Sequence, residues 1–379
     1  MGHVKDLWMK RDPETGKKVR SARYGRGKRW LARWIAPNGE EDTQAFALKD
    51  EALLHISAME TSKAAGTYID PRVARQTFQE YAERWRADQL HHRKASAVGA
   101  ELALRVHVYP VIGGVPIGSI TRGQVQLVVN TFSKVLAPTT CEVTYGYMAT
   151  VFRSAVLDRV IERSPCVRIN LPEVVKKKVT PLLLEQVTAI YDHMPGRYKN
   201  AVEVAAASGL RQGELFGLTV DRLDGACDDL TLVIDRQRDE ASTWKPPKTK
   251  AGDRKVRLGL HGSRAIWRQL NAYGESRYGH VFATARGSSV SRTLAGDLWR
   301  DAADGLGLWE RSGWHDLRHY HASKLIRLGL SVTAIADRLG HSDQKETYET
   351  YLHLWPDDSE RAVIATDMAM AELAFGQAA

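Results

Sequence analysis

The sequence predicts a multidomain, mainly α-helical protein that begins with a small α+β module. A length of 379 residues exceeds what one hydrophobic core usually serves. Apolar residues follow helical spacing through most of the chain from residue 73 onward, and segments rich in glycine and proline interrupt it. We therefore expect a module over 1–66, an all-helical domain over 73–170, a linker over 171–180, and a mostly helical domain with a small antiparallel sheet over 181–379.

Composition and charge narrow the class of protein. Apolar residues make up 43% of the chain and charged residues 26%, ordinary proportions for a globular protein, and the net charge of +9 favours a polyanionic partner. Three widely separated cysteines argue against a disulfide framework and against a cysteine-rich zinc site. Neither a membrane-length apolar run nor the apolar core of a signal peptide is present, so we expect a cytoplasmic protein without a membrane partner.

The N-terminal module places basic and aromatic residues on the same predicted strands. Trp30–Ile35 and Thr43–Leu48 have strand composition, Pro37–Gly39 predicts the turn between them, and a helix is expected over Lys49–Ala65. A sheet of this kind can lie against DNA, although a solvated basic face is the alternative. The expected DNA contacts are Arg20, Arg23, Arg26, Lys28, Arg29 and Arg33.

The next part of the chain has the signals of a helical domain. Thr77–Glu80 has the spacing of a helix capping box, Thr121 opens a second helix, and a third is expected over Pro138–Ile161. An aromatic stripe with i, i+3 and i+7 spacing is expected to belong to the core and not to a base-stacking surface. It consists of Phe78, Tyr81 and Trp85.

A basic linker is expected between the helical parts. Prolines bracket the segment, which predicts an extended chain that can follow a phosphate backbone, and a plain solvated linker is the alternative. Its candidate DNA contacts are Lys176, Lys177 and Lys178.

The remaining chain is mainly helical with a short β interruption. Leu230–Ile234 and Lys255–Leu258 have the composition of paired strands. Further on, Ser331 is expected to cap a helix that Gly340 ends in the left-handed conformation. His341 would then follow a defined helix end.

The C-terminal half carries groups that suit the chemistry of a phosphodiester. His315–His319 and Leu339–Ser342 supply an arginine and histidines, and Tyr351 supplies a hydroxyl nucleophile. An earlier block, Ser208–Leu215, supplies a second arginine, and Pro247–Gly252 supplies a lysine. A guanidinium can fork two hydrogen bonds onto a phosphate, and a histidine can pass protons near neutral pH. An attack on a phosphodiester without a metal ion needs about this set of groups.

These blocks, in this order, resemble those of the tyrosine recombinase, or phage integrase, family over most of the chain. The resemblance implies that Tyr351 attacks a scissile phosphate, forms a 3′-phosphotyrosyl bond and frees a 5′ hydroxyl. It also implies roles for the other members of the set. Arg211, Arg318 and His341 would hold the non-bridging oxygens, His315 would assist proton transfer, and Lys250 would protonate the leaving oxygen.

Neighbouring residues compete for two of these roles. Tyr351 lies ten residues after His341 and in a Tyr-x-His setting, as the family pattern requires, whereas Tyr348 fits neither condition. Lys250 fits the family pattern better than Lys248. We therefore expect Tyr351 as the nucleophile and Lys250 as the general acid.

Three further residues lie close to the expected catalytic groups. Glu214 follows Arg211 by three residues and is expected to buttress that arginine or to orient a histidine. His319 lies four residues after His315, a spacing that can chelate zinc, but no HExxH glutamate or nearby cysteine accompanies the pair. We therefore expect no metal, and we expect His319 and His321 to be structural or to contact the backbone.

The resemblance implies a site-specific DNA recombinase for the integration and excision of a phage or other mobile element. Its expected partners are double-stranded DNA at core-type and arm-type sites, three further copies of the chain in a tetramer, and accessory directionality or DNA-bending proteins. No cofactor is expected, and the implied location is the host nucleoid. A type IB topoisomerase-like enzyme and a non-catalytic DNA-binding protein are the alternatives. The tail, Arg361–Ala379, is expected to dock on a neighbouring protomer or on its own domain.

Overall fold

The computed structural model confirms the expected fold class, since small antiparallel sheets accompany a mainly helical chain. The chain divides into two compact units, Met1–Val175 and Lys176–Ala379. The structure describes residues 2–37, 39–66, 68–70, 72–90, 93–175, 178–238, 244–247, 250–355 and 359–375.

The first unit begins with a sheet and one helix. The strands are β1 (His3–Asp6), β2 (Met9–Arg11), β3 (Lys18–Arg20), β4 (Trp30–Ile35) and β5 (Glu41–Phe46), followed by helix α1 (Lys49–Ala64). Antiparallel pairing gives the order β1-β4-β5, and β2 and β3 form a separate hairpin. The returning strand β5 begins and ends two residues before its predicted bounds, and its early end follows from Leu48 being the N-cap of α1. Asn38 of the predicted turn lies outside the described residues.

Side chains along β4 alternate between the two faces of the sheet, and helix α1 covers one of these faces. Ala32 and Trp34 are buried and belong to the same core as Ile56 of α1. The indole nitrogen Nε1 of Trp34 donates to the hydroxyl of Tyr68 at 3.0 Å, which satisfies its N–H inside that core. Arg33 therefore projects from the other side of the strand.

A second core in the same unit is built by helices. These are α2 (Phe78–Ala87), α3 (Lys94–Leu102), a wider π-helical stretch (Ala103–Gly113), α4 (Arg122–Phe132) and α5 (Pro138–Leu157). Both predicted caps are present, because the hydroxyls of Thr77 and Thr121 accept from the backbone of Glu80 and Gln124. The aromatic stripe is buried, which confirms that it belongs to the core.

The third predicted helix of this domain ends four residues early. Arg159 has a φ of 56°, a left-handed conformation that the α-helix does not continue. The backbone N–H of Val160 instead donates to Ala155 at 2.8 Å. Val160 and Ile161 thereby fold back into the core, so their apolar character reflects burial beyond the helix end and not helix.

The second unit is a helical domain around a small sheet. Its strands are β6 (Leu223–Ala226), β7 (Asp229–Ile234), β8 (Gln237–Arg238), β9 (Trp244–Lys245) and β10 (Arg254–Arg257), paired as β10-β7-β6 and β8-β9. Its helices are α6 (Leu184–His193), α7 (Gly196–Ser208), α8 (Gln212–Leu215), α9 (Leu260–Tyr273), α10 (Arg292–Ala303), α11 (Trp314–Arg327), α12 (Val332–Leu339), α13 (Gln344–Tyr351) and α14 (Ser359–Phe375). The predicted β interruption corresponds to β7 and β10.

Two left-handed glycines end the helices that precede Arg211 and His341 in this unit. Gly209 has a φ of 68° after α7, and Gly340 has a φ of 70° after α12, as predicted for Gly340. Ser331 caps α12 by accepting from Ala334 N at 3.2 Å, which confirms the predicted cap. Arg211 and His341 each follow one of these fixed turns.

The last helix is apolar on its surface. Val363, Ile364, Met368 and Met370 of α14 are all exposed. Within the ranges that the structure describes, no helix combines the length and hydrophobicity that crossing a bilayer requires.

We expect Gly209→Ala to destabilise the protein by about 2–4 kcal/mol. A Cβ there would adopt a left-handed conformation and meet His321 Cδ2 at 2.7 Å and Leu339 Cδ2 at 2.9 Å. Gly296→Ala, in α10 with nothing within 4 Å, is the matched control and should gain about 0.5–1 kcal/mol. Urea unfolding followed by tryptophan fluorescence measures both, and equal midpoints would contradict the packing around Gly209.

Candidate active site

Five of the expected catalytic residues are carried by four neighbouring elements of the second unit. Arg211 is the N-cap of α8, and His315 and Arg318 lie one turn apart on α11. His341 follows the end of α12, and Tyr351 is the last residue of α13. The hydrogen bonds between these elements join most of the residues in one cluster.

A buried carboxylate organises the arginines of this cluster. Glu214 is 4% exposed and accepts from Arg211 Nη1 at 3.0 Å and from Arg254 Nη2 at 2.9 Å. Burial by itself would raise the pKa of Glu214, but the hydrogen bond from Arg254 and the charges of Arg254 and Arg211 lower it below its ordinary value. Of the two expected roles, Glu214 has the first, because it buttresses Arg211.

Arg254 is a member of the cluster that sequence reasoning missed. Its Nε donates to the carbonyl of Arg338 at 2.9 Å, so one side chain ties β10 and Glu214 to the end of α12. In the sequence it is one of several basic residues in a Lys/Arg-rich stretch, and nothing in that pattern distinguishes the buried one. Only its 7% side-chain exposure does so.

The guanidinium of Arg318 is buried, and within the described residues one of its nitrogens is left for a ligand. The residue is 1% exposed, and its Nη1 donates to the carbonyl of Gly209 at 2.9 Å. Its Nη2 is buried and has no hydrogen-bond partner among the described residues. Burial, followed by the charge of Arg211, lowers the pKa of Arg318 to about 9, which still leaves the guanidinium charged at neutral pH. A buried cation with an open N–H group is suited to an anionic ligand.

Arg211 and His341 are held next to each other. Arg211 Nη2 donates to the carbonyl of Gly340 at 3.1 Å, directly before His341. The ring nitrogen Nδ1 of His341 lies 2.6 Å from the hydroxyl of Thr347, which is itself buried. Burial and then the charges of Arg318 and Arg211 lower the pKa of His341 to about 3, so this ring is neutral at pH 7.

Tyr351 is buried and His319 contacts its hydroxyl. The tyrosine is 1% exposed, whereas Tyr348 is 49% exposed. Burial raises the pKa of Tyr351 to about 12, against the opposing charge of Arg318. His319 Nδ1 lies 2.7 Å from the Tyr351 hydroxyl, so its contact is with a side chain and not with the backbone; a structural role for His319 stays a prediction. Sequence spacing carried no signal for this contact, because it joins α11 to the end of α13.

His315 lies at the outer edge of the same row of rings. The residue is exposed, and its ring meets the His319 ring at a centroid distance of 4.6 Å. Partial burial and then the charges of Arg318 and Arg211 lower the pKa of His315 to about 4. His315 is therefore accessible from outside, while His319 lies between it and Tyr351.

His321 makes the expected backbone contact. Its Nδ1 lies 2.9 Å from the carbonyl of Ala206, and Arg338 Nε donates to its Nε2 at 2.9 Å. Because Nε2 accepts from a guanidinium, the ring proton must sit on Nδ1, from which it is donated to Ala206. This histidine supports the framework behind the cluster.

The turn that carries Lys250 lies beside the cluster. A short 3-10 helix spans Lys250–Gly252, and the carbonyl of Ala251 would lie 2.9 Å from a Cβ on Gly340. The side chain of Lys250 and the whole of Lys248 lie outside the described residues. Lys250 as the general acid therefore stays a prediction.

The expected DNA-contact residues differ in how available they are. Arg20, Arg23, Arg26, Lys28 and Lys178 are exposed, whereas Lys176 and Lys177 lie outside the described residues. Arg29 pairs with Asp6 at 2.8 Å, and Arg33 pairs with Glu41. These two arginines are already engaged within the protein, and DNA contact by any member of the set stays a prediction.

The histidines of this region are not arranged as a metal site within the described part of the chain. Among the residues with described positions, no three histidine, cysteine, aspartate or glutamate side chains form a group that could hold a metal ion.

Comparison with known proteins places the chain in a family. The Phage integrase family matches residues 180–357, which include every member of the cluster, and the Phage integrase central domain matches residues 78–171. The chain belongs to the phage integrase family. Its members named among the relatives include tyrosine recombinases and integrases.

The relatives of this chain have low sequence identity to it. A tyrosine recombinase XerC-like protein of Caldanaerobacter subterraneus subsp. tengcongensis is 26% identical over 58% of this chain and 63% of its own length. The integrase of Staphylococcus phage L54a is 28% identical over 41% of this chain and 47% of its own. The match thus spans less than two thirds of either relative.

Solved structures share the fold. The Tn1549 transposon integrase in complex with a circular intermediate DNA has a TM-score of 0.66 at 19% identity, covering 76% of this chain and 99% of that one. A lambda integrase tetramer bound to a Holliday junction has a TM-score of 0.58 at 15% identity, and the match covers 87% of this chain and 93% of that one.

We expect Arg254→Met to cost about 3–5 kcal/mol, because it removes one of the two guanidiniums that hold the buried Glu214 carboxylate. Arg257→Met on the same strand is the matched control, since Arg257 pairs with Asp229 at an exposed site. That change should stay within about 0.5 kcal/mol. Chemical unfolding of both variants measures the two changes in the free energy of unfolding. Similar losses in both would argue that Arg254 behaves as a surface cation.

We expect His321 to contribute to acid unfolding. Burial, followed by the charge of Arg338, lowers the pKa of His321 to about 4, so the unfolded chain binds this proton more readily than the folded one. The stability that neutral His321 gives the folded state is fully present above the ordinary histidine pKa of about 6.5 and is lost as the pH falls towards 4. His321→Gln should therefore flatten the fall of the melting temperature between pH 6.5 and 4. His261→Gln, at an exposed position on α9, should leave the slope unchanged, and a wild-type slope in His321→Gln would refute the assignment.

Proposed function

We propose that this protein is a site-specific DNA recombinase that cleaves and rejoins strands through a 3′-phosphotyrosyl intermediate. The observation that carries the proposal is the buried Nη2 of Arg318, which has no hydrogen-bond partner among the described residues, in a cluster that also holds Arg211, His341 and a buried tyrosine. Such a group favours a ligand that brings negative charge and acceptor oxygens, and a phosphodiester brings both.

The two arginines and His341 bind the scissile phosphate in this scheme. Each guanidinium is anchored through one nitrogen to a glycine carbonyl, Arg318 to Gly209 and Arg211 to Gly340. Anchored donors need little reorganisation when charge develops on the non-bridging oxygens, which is the condition for electrostatic stabilisation of a transition state. His341, neutral and fixed by Thr347, adds an imidazole to the same clamp.

Tyr351 is the proposed nucleophile and Lys250 the proposed general acid. The tyrosine oxygen bonds to phosphorus while the bond to the 5′ oxygen breaks, and Lys250 gives that oxygen a proton. His315 assists proton transfer. The phosphotyrosyl bond conserves the energy of the phosphodiester, so a 5′ hydroxyl from a partner strand can reverse the step without ATP. The arginines and the lysine take the part that magnesium has at other phosphoryl-transfer sites.

Double-stranded DNA is the proposed partner. The helical domain and the catalytic domain would bind the core-type site, and the exposed basic residues of the N-terminal module would bind arm-type sites. The solved structures with this fold include an integrase in complex with a circular intermediate DNA and a tetramer bound to a Holliday junction, which supports strand exchange by four copies of this chain. The reaction would integrate and excise a phage or other mobile element at the host nucleoid, with directionality or DNA-bending proteins as accessories.

The apolar surface of α14 suits a docking role in such an assembly. Its exposed aliphatic and methionine side chains need an apolar partner surface. Docking on a neighbouring protomer would couple Tyr351 to assembly, and docking on its own domain is the other arrangement. No contact in the described ranges favours a type IB topoisomerase-like enzyme or a non-catalytic DNA-binding protein.

We expect wild type to form a covalent protein–DNA adduct, resistant to denaturing detergent, on a nicked suicide substrate. The core site for that substrate is recovered by selecting random duplexes on the purified full chain. Tyr351→Phe should form no adduct, because the nucleophilic oxygen is gone, and the matched Tyr348→Phe should form it at the wild-type rate, because that exposed ring lies outside the cluster.

Three results would overturn the assignment. The first is an adduct formed by Tyr351→Phe, and the second is the absence of an adduct with wild type. The third is an adduct that EDTA abolishes, which would indicate metal-dependent nuclease chemistry.

A further inference from the structure

We propose that His319 is a catalytic residue of this site and that its Nδ1 takes the phenolic proton of Tyr351 during strand cleavage. The inference rests on the proposed recombinase function and assigns one step of it. The sequence pattern directed proton transfer to His315, and the structure directs the first step of that transfer to a different histidine.

The contact itself is the main evidence. The Tyr351 hydroxyl lies 2.7 Å from His319 Nδ1, well within hydrogen-bonding distance. Among the side chains whose positions are described, His319 is the one that hydrogen-bonds this oxygen, which is the atom that attacks phosphorus. His315, Arg211, Arg318 and His341 make no such bond to it in those ranges.

The position of His319 in the fold supports the same role. It follows Arg318 directly on α11, so the helix that presents the phosphate-binding guanidinium also presents the base. The rings of His319 and Tyr351 meet edge to face at a centroid distance of 5.6 Å, and the His315 ring meets His319 from the other side at 4.6 Å. The three rings form a row that leads from the buried hydroxyl to the solvent-exposed edge of the site.

The direction of the hydrogen bond follows from the protonation states. Burial raises the pKa of Tyr351 to about 12, so at neutral pH its hydroxyl carries a proton and can donate it. Burial, followed by His315 and Arg318, lowers the pKa of His319 to about 3, so the ring is neutral with one nitrogen free to accept. Nδ1 then accepts from the phenol, and the ring proton is on Nε2.

The same protonation states keep the nucleophile inert until DNA is bound. Transfer from a phenol to so weak a base is unfavourable while the positive charge of the guanidiniums around the site is only partly offset by Glu214. A phosphate held by Arg211 and Arg318 offsets that positive charge. The imidazolium that forms on His319 then lies near the negative charge developing on the phosphate.

The step balances in both directions. In cleavage, the Tyr351 oxygen bonds to phosphorus, the bond from phosphorus to the 5′ oxygen breaks, and the phenolic proton moves to His319 Nδ1. In rejoining, the 5′ hydroxyl attacks, the bond from phosphorus to the tyrosine oxygen breaks, and His319 returns its proton to that oxygen. His319 is a base in the first reaction and an acid in the second.

A first test needs no DNA and so does not depend on the recombinase function. The full chain is labelled with ¹⁵N-histidine, and long-range ¹H–¹⁵N spectra are recorded for wild type, His319→Asn and Tyr351→Phe at neutral pH. The signals lost in His319→Asn identify that ring. We expect a neutral ring protonated on Nε2 whose Nδ1 resonance shifts in Tyr351→Phe. A ring protonated on Nδ1, or an Nδ1 resonance that Tyr351→Phe leaves unmoved, would overturn the proposal.

A second test separates proton transfer from packing. His319→Asn places an amide oxygen where Nδ1 lies, so it can still accept the hydrogen bond but cannot take the proton. We expect adduct formation on the suicide substrate to slow by about 10²–10³-fold. The companion substrate is a strand ending in a 3′-phosphate ester of p-nitrophenol, to which a 5′-hydroxyl strand is joined. Its leaving phenolate is a weaker base than that of tyrosine and needs no proton. The joining assay is run in a Tyr351→Phe background, where no phenol competes for the ester, and there joining with His319→Asn should stay within a few-fold of Tyr351→Phe alone.

Each remaining outcome has one meaning. Cleavage by His319→Asn at the wild-type rate would show that His319 takes no proton. Equal loss of cleavage and joining in His319→Asn and His319→Ala would show a structural residue. Absence of any wild-type adduct would instead remove the recombinase proposal and leave the spectroscopic result standing.

Discussion

The buried carboxylate of Glu214 is the interaction on which the candidate site depends. Arg211, Arg254 and Arg318 bring three guanidiniums into a region largely closed to water, where like charges repel strongly. Glu214 bonds to two of them and offsets part of that charge. Through Arg254 it also reaches the carbonyl of Arg338, so the same carboxylate holds the end of α12 beside β10. The electrostatic balance and the geometry of the site therefore have one origin.

Helix ends supply the second constraint. The left-handed glycines Gly209 and Gly340 turn the chain sharply, and their carbonyl groups accept from Arg318 and Arg211. Each arginine thus uses one nitrogen to bind a carbonyl at a fixed turn. For Arg318 this leaves Nη2 without a partner in the described part of the chain, and that open group is what suggests a phosphate ligand.

The protonation states that burial favours at this site are opposite to those that the proposed catalysis needs. Burial and nearby guanidiniums lower the pKa values of His315, His319 and His341 and keep these rings neutral, while burial keeps Tyr351 a phenol. Both kinds of shift disfavour separated charge in the site. A bound anion reverses the balance, because it offsets the arginines and favours a cationic imidazole. In the proposed mechanism, DNA binding and activation of the nucleophile are therefore the same electrostatic event.

The sequence by itself determined the fold class, the caps at Thr77, Thr121 and Ser331, and the left-handed Gly340, because each of these depends on residues within one or two turns. It also located Arg211, Arg318, His341 and Tyr351 through motif spacing. The local pattern did not predict where α5 ends. Val160 and Ile161 are apolar because they are buried beyond the helix, and in the sequence they look like a continuation of it.

Only the tertiary structure decided which side chains meet. Arg254 resembles its basic neighbours in the sequence, Thr347 resembles any helical threonine, and His319 was expected to be structural or to contact the backbone. Their roles come from contacts between separate elements: Arg254 with Glu214, Thr347 with His341, and His319 with Tyr351. Hydrogen bonds of this kind depend on how helices pack across long sequence separations, and local periodicity does not encode that packing.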